Sequence, residues 1–290
     1  MVAVKAIACE LPARLGLPLG RLHVPDIRSE VIRRGLVAAI SETTIWRWLS
    51  EDAIRPWTHR SWIFPRDPDF GSKAARVLDL YAGEWDGQPL KADEFVISAD
   101  EKTSIQARIR CHPTVAANAH HPTLVEHEYA RGGALQYLAA WDVHRARLFG
   151  RCEPTTGIEP FGRLVSQVMA AEPYRSARRV FWVLDNGSSH RGRAAVRRLV
   201  EAHPRLVPVH LPVHASWLNQ VEIYFSILER KVLTPADAAS LEELAARILA
   251  FQVRYEVLAQ PFEWKFTRTD LTRLLARLAV RDAAQPAEAA

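Results

Sequence analysis

Three acidic residues in this chain occupy positions where chemistry is possible. The stretch VFWVLDNGSSHRG, from Val180 to Gly192, runs five apolar residues into Asp185, followed by a turn pair and by His190 at the mouth of a basic helix start. EFVISAD carries a similar apolar run into Asp100. The third acid, Glu222, lies in SWLNQVEIYFSILERKVL, which reads as one helix. There Leu218, Val221, Phe225, Leu228 and Val232 recur at three and four and form the buried stripe. Glu222 sits about 40° around that helix from Leu218, on the stripe's edge, and Asn219 shares its face. Singly, each acid has an ordinary explanation: a strand-end cap, an Asp-Asn-Gly turn, a helix-surface charge. Together, carboxylates gathered at the ends of strands repel one another unless a cation compensates them. Mg²⁺ (or Mn²⁺) suits such oxygen donors. Two such ions about 3.5–4 Å apart activate an attacking oxygen and stabilise a leaving one in phosphodiester chemistry. The expected metal ligands are Asp100, Asp185 and Glu222, with Asn186, His190 and Asn219 as candidates around them. For His190, capping the following helix is an equal alternative.

The elements that must position these acids are legible from periodicity. EFVISAD, ALQYLAAWDV, RARLFGRC, RVFWVLD and RLVPVHL read as strands, and EFVISAD is expected to end at Asp100. GSKAARVLDLYAG, GIEPFGRLVSQVMAAE and RGRAAVRRLVEAH read as helices, with two more in SLEELAARILAFQVRYEVL and TRTDLTRLLARLAV. Strands first meander and then alternate with helices, which predicts an α/β fold: a mixed sheet flanked by helices. Ligand chemistry in such sheets gathers at strand ends. The loop CHPTVAANAHH, with Cys111, His112, His120 and His121, lacks a convincing second ligand pair for zinc and reads as a flexible loop.

Before the sheet, VPDIRSEVIRRGLVAAISETTIWRWLSEDAIRPW reads as two short helices around a turn. Pro25 and Asp26 open the first, Gly35 closes it, and Ser41 caps the second. Ile45 and Leu49 then face inward, leaving Thr43, Thr44 and Arg47 outward, where a helix-turn-helix reads DNA bases. The formal net charge of +5 fits a polyanionic partner. The excess is mostly arginine, in RSEVIRRG, RSARRV and HRGRAAVRRL, and guanidinium suits phosphate. No apolar run is long enough to cross a bilayer, and the start lacks the pattern of a signal peptide. Cys9, Cys111 and Cys152 match no zinc or disulfide spacing, so reduced thiols in a cytoplasm are expected.

SADEKTSIQA, VLDNGSSH and PVHASWLNQVEIYFSILERKVL resemble the three catalytic blocks of the insertion sequence 630 family of bacterial transposases, related to the mariner-like elements. The resemblance extends to PWTHRSWIFPRDPDF, LAAWDVHRARLFGR and PFEWKFTRTDL, and so spans residues from about 20 to 280. The 36 residues between Asp185 and Glu222 are within that family's range. It implies a ribonuclease H-like fold with an Asp-Asp-Glu triad at Asp100, Asp185 and Glu222. It further implies metal-dependent cleavage of element ends, transfer of the freed 3′ hydroxyl to target DNA, and a homodimer in the active complex. Family members usually carry two helix-turn-helix units, whereas this chain has room for one, the other being missing or reduced to MVAVKAIACELPARLGLPLG. The organisation read on this basis is a helix-turn-helix region at 1–56, a linker and short helix at 57–92, a catalytic domain at 93–282 and a tail at 283–290. A ribonuclease H-like nuclease without strand transfer, and a non-catalytic DNA-binding remnant, are the alternatives. A cytoplasmic, nucleoid-associated location follows from the same reading.

Overall fold

The computed structural model describes residues 1–59, 65–187, 192–235 and 237–283. The chain divides into two compact units, Met1–Phe64 and Pro65–Ala290.

In the first unit, α1 (Val2–Ala8), α2 (Val24–Arg33) and α3 (Glu42–Glu51) enclose a small apolar core. The start of α2 is set by Asp26, whose carboxylate accepts from the His23 N–H at 2.8 Å, with Pro25 in the first turn where its missing donor does no harm. Gly35 adopts φ +67° just past its end, as the sequence suggests. Ser41 caps α3, its Oγ accepting from the Thr44 N–H at 3.2 Å. Ile45 and Leu49 are fully buried against Ile27 and Val31. Val4 and Ile7 of α1 complete this core. The opening stretch, read from sequence as a reduced remnant, therefore contributes a helix that the pair packs against.

The second unit is built on a five-stranded sheet of order β5-β4-β3-β6-β7. Its strands are β3 (Glu94–Ile109), β4 (Ala130–Asp142), β5 (Leu148–Glu153), β6 (Arg179–Leu184) and β7 (Leu206–His210), and a small hairpin of β1 (Glu84–Trp85) and β2 (Gln88–Pro89) precedes them. The β3-β4-β5 meander is antiparallel, while β6 runs parallel to both β3 and β7. Phe95, Ile97 and Ala99 share one apolar cluster with Phe161, Leu164 and Val168 of α5 (Ile158–Ala170) and Leu199 of α6 (Arg193–Ala202). Val96, Tyr137, Trp141, Phe181 and Val183 belong to the opposite cluster. That one includes residues of α4 (Phe70–Tyr81), α7 (Val221–Leu228), α8 (Leu241–Leu258) and α9 (Arg268–Ala283). Strands covered on both faces read as continuous apolar runs, which is why EFVI and VFWVL show no clean alternation.

Two expectations are corrected here. β3 does not end at Asp100 but continues to Ile109, because β4 goes on pairing with it to Ile109↔Ala130 after the parallel pairing with β6 stops at Ser98↔Val183. The helix expected from Ser216 is broken: Ser216–Leu218 form a single 3₁₀ turn, Asn219 is extended, and α7 starts at Val221. Among the described residues no helix is long and apolar enough to cross a membrane.

Candidate active site

Asp100 lies where β3 outruns its parallel neighbour, and it is only 7% exposed. Its Oδ1 accepts from the Glu101 N–H at 2.8 Å and its Oδ2 from Asn219 Nδ2 at 3.0 Å. Asp185 follows the last residue of β6, and its Oδ1 accepts from the Gly187 N–H at 2.8 Å, an Asx-type turn that fixes the carboxylate at the strand end. Glu222 stands half-buried in the first turn of α7. There the helix's positive end favours a carboxylate.

The break between the 3₁₀ turn and α7 is held by buried polar groups. Asn219 Nδ2 also donates to the Ala99 carbonyl at 3.0 Å, and its Oδ1 accepts from the Ser98 hydroxyl. Ser98 Oγ in turn accepts from the Val221 N–H at 3.0 Å. From α4, the Tyr81 hydroxyl donates to the Leu218 carbonyl at 2.8 Å. Asn219 thus spends its whole amide on β3, which ties the start of α7, and with it Glu222, to the strand carrying Asp100. Each of these groups would be expensive to bury unpaired.

The acids sense one another. Burial raises the Asp100 carboxyl to about 7, and the negative charges of Asp185 and Glu222 add to that rise. Burial also raises Glu222, opposed by the positive charge of Lys102 and reinforced by Asp185. Among the described residues no group of three or more His, Cys, Asp or Glu side chains is close enough, as placed, to hold an ion. Like charges oppose that last approach unless a cation is between them. The donor set itself, carboxylate oxygens, has the hard-oxygen character that suits Mg²⁺ or Mn²⁺ and not a soft metal.

The other residues expected at a site divide. Asn219 contacts Asp100 directly, although from the junction and not from a helix face. Asn186 turns away: its Nδ2 donates to the Leu211 carbonyl at 2.8 Å and fastens the β6 loop to the end of β7. His190 lies outside the described residues. In the first unit Thr43 and Arg47 are exposed on α3. Thr44 is instead engaged in the helix cap, its hydroxyl 2.8 Å from that of Ser41. The sequence reading missed Trp46, which is 55% exposed beside Arg47; an aromatic off the buried i, i+4 pair of Ile45 and Leu49 was the available signal. Ser98, Tyr81 and Lys102 were missed too, because their importance lies in partners far along the chain. The Cys111–His121 loop carries local contacts. Val115 and Leu124 form a bridge, and His112 holds Glu126, with Nδ1 2.8 Å from Oε1.

A five-stranded sheet in this order, helices on both faces and acids where the parallel strands end together define a ribonuclease H-like domain. Residues 96–245 match the family model described as DDE superfamily endonuclease. The chain belongs to that superfamily. Solved structures with the same fold include the Mos1 mariner paired-end complex with Mn, at TM-score 0.53 and 12% identity, covering 96% of this chain and 78% of that one. The Mos1 strand transfer complex matches at TM-score 0.53 and 12% identity, covering 99% of this chain and 78% of the other. The Mos1 paired-end complex with Mg matches at TM-score 0.51 and 10% identity, covering 97% and 77%. No curated protein sequence matches significantly.

Proposed function

We propose that this chain is a DNA transposase of the Asp-Asp-Glu type, with Asp100, Asp185 and Glu222 as its metal-holding acids. The observation that carries the reading is electrostatic: within a DDE endonuclease domain, Asp100 is buried at the sheet's parallel-strand end and raised to about 7, with Asp185 and Glu222 contributing to the rise. Such an arrangement destabilises the protein by itself and gains a purpose when it receives a cation. Two divalent ions, when bound, would supply activation of the attacking oxygen and charge neutralisation at the leaving oxygen of a phosphodiester.

The chain's own residues do the positioning. Asn219 orients Asp100 through Oδ2, leaving its ionised form available to an incoming cation. The turn at Gly187 aims Asp185, and the pinned start of α7 presents Glu222. The acids hold the metal and do not attack substrate themselves. Thr43 and Arg47 on α3 read element ends as the second helix of a helix-turn-helix, and arginines supply phosphate contacts without sequence information. Solved structures of this fold described as paired-end and strand transfer complexes support a DNA substrate; a homodimeric active complex and a location at the nucleoid are part of the same proposal.

Purified protein with a labelled duplex carrying the element end and a target plasmid tests this. Cleavage followed by joining, dependent on Mg²⁺ or Mn²⁺ and lost in Asp185→Asn, is expected. Cleavage without joining would reduce the activity to that of a nuclease. Neither, under conditions where the protein binds DNA, would leave a non-catalytic remnant.

A further inference from the structure

Past Asp100, β3 runs on with β4 as a ribbon whose residues border a groove of about 210 Å³. Lys102, Thr103, Ser104, Gln106 and Arg108 line it from the strand, and Glu229 lines it from the helix opposite. The ladder with β4 shifts register between Lys102 and Ile105, where Ser104 takes φ +58°, and this bulge brings Thr103 and Ser104 to the groove together with Lys102, while buried Ile105 contributes to its floor. Lys102 is two residues from Asp100, about 7 Å along an extended strand. Its positive charge is felt by Glu222. The groove therefore adjoins the acid centre.

Within it Lys102 already holds an anion. Its Nζ lies 2.8 Å from Glu229 Oε2, and Glu229 Oε1 accepts from the Thr234 hydroxyl at 2.9 Å. Lys102, Thr234 and the charge of Arg108 hold the Glu229 carboxyl below its usual range. Glu229 stands where α7 changes into a π-helical turn, Glu229–Leu233. Such turns interrupt regular helix geometry and often occur at functional positions. Lys102 is partly exposed and Glu229 more so, so the pair is within reach of a competing anion.

We propose that this groove is a binding subsite for the DNA backbone beside the reacting phosphodiester, and that Glu229 holds the place of a phosphate on Lys102 until DNA displaces it. The proposal rests on the transposase reading and adds to it a second contact region on the same strand. From Lys102 to Arg108 the strand spans at most about 20 Å, room for a few nucleotides of backbone. Besides Glu229 and the apolar Ile105 and Leu233, the lining is cations, hydroxyls and an amide, with no aromatic ring among them to stack a base, so it suits phosphate and not sequence. A carboxylate that must be displaced keeps Lys102 from binding stray anions, and it lowers DNA affinity in exchange.

Anisotropy with a fluorescent 30-base-pair duplex of arbitrary sequence, in EDTA so that no cleavage occurs, tests this on the full chain. Lys102→Met and Arg108→Met should each weaken binding about fivefold near physiological salt and flatten the salt dependence by about 0.9 in log–log slope. Glu229→Gln should tighten binding about threefold, and by clearly less in the Lys102→Met background, where only the loss of a negative charge near phosphate and Arg108 remains. Thermal melts establish that each variant folds, and Lys102→Arg, which keeps the charge, should retain binding. Unchanged affinity and slope in both cation variants, with wild type binding DNA, would overturn the subsite alone. Weaker or unchanged binding in Glu229→Gln would overturn the displacement. Failure of wild type to bind any duplex would remove the transposase reading and the subsite with it.

Discussion

Replacing Asp100 by Asn should stabilise the metal-free protein at alkaline pH and destabilise it in acid. The folded carboxyl is raised from 3.8 to about 7, and each unit corresponds to about 1.36 kcal/mol between the two protonation states. A folded value above the unfolded one means that the stabilising contribution is complete below pH 3.8 and is lost as pH rises through 7. In the wild type this amounts to a loss of about 4 kcal/mol across that window. The Asn variant escapes the loss but meets another. Asn219 Nδ2 and the Glu101 N–H both donate to Asp100, and an amide can accept with only one of its ends. Asn219 cannot flip to help, since its Oδ1 already takes the Ser98 hydroxyl and its Nδ2 the Ala99 carbonyl. That mismatch costs about 1–3 kcal/mol at every pH. The variant should therefore be more stable than wild type by about 2 kcal/mol at pH 8 and less stable by a similar amount at pH 4. Urea unfolding in EDTA, followed through the buried Trp141 and Trp182 of the catalytic unit, measures this. Millimolar Mg²⁺ at pH 8 should then stabilise wild type and leave the variant unmoved. A difference that keeps one sign from pH 4 to 8 would show that Asp100 is not electrostatically frustrated, and the main support for a metal site would be gone.

Three further outcomes are expected. Asp185→Asn should abolish Mg²⁺-dependent cleavage while gel-shift affinity for DNA stays level or rises slightly, since one negative charge near phosphate is gone; wild-type cleavage by the variant would refute its role. Asn219→Ala should destabilise the catalytic unit by about 2–4 kcal/mol, because Ser98, the Ala99 carbonyl and Asp100 all lose a buried partner; it should also lower cleavage at least tenfold in protein still folded by circular dichroism. DNA selectivity should be poor, since one short helix presenting Thr43 and Arg47 supplies less than the roughly 4–10 kcal/mol typical of specific over random binding; competition between terminal-repeat and scrambled duplexes measures it, and a preference above about a thousandfold would show a complete recognition unit.

Local sequence determined much of this protein. Continuous apolar runs marked the strands that are covered on both faces, and Asp-Asn-Gly after VFWVL placed Asp185 at a strand end because that triplet favours a turn. Gly35 and Ser41 set the helix limits in the first unit, since a left-handed residue and a side-chain acceptor act within a few positions of themselves. The spacing of hydrophobic residues in the Glu222 segment identified its buried face, but not the interruption at Asn219. That interruption exists because Ser98 and Asp100, more than a hundred residues earlier, offer hydrogen bonds that a regular helix would leave unmade. The extension of β3 past Asp100 was likewise decided by β4, as an extended backbone persists only where a neighbour accepts its hydrogen bonds. The pairing of Lys102 with Glu229 and the raised carboxyl of Asp100 depend on charges brought together by folding. Sequence names such charges, and only tertiary structure sets the distance and dielectric that govern their energy.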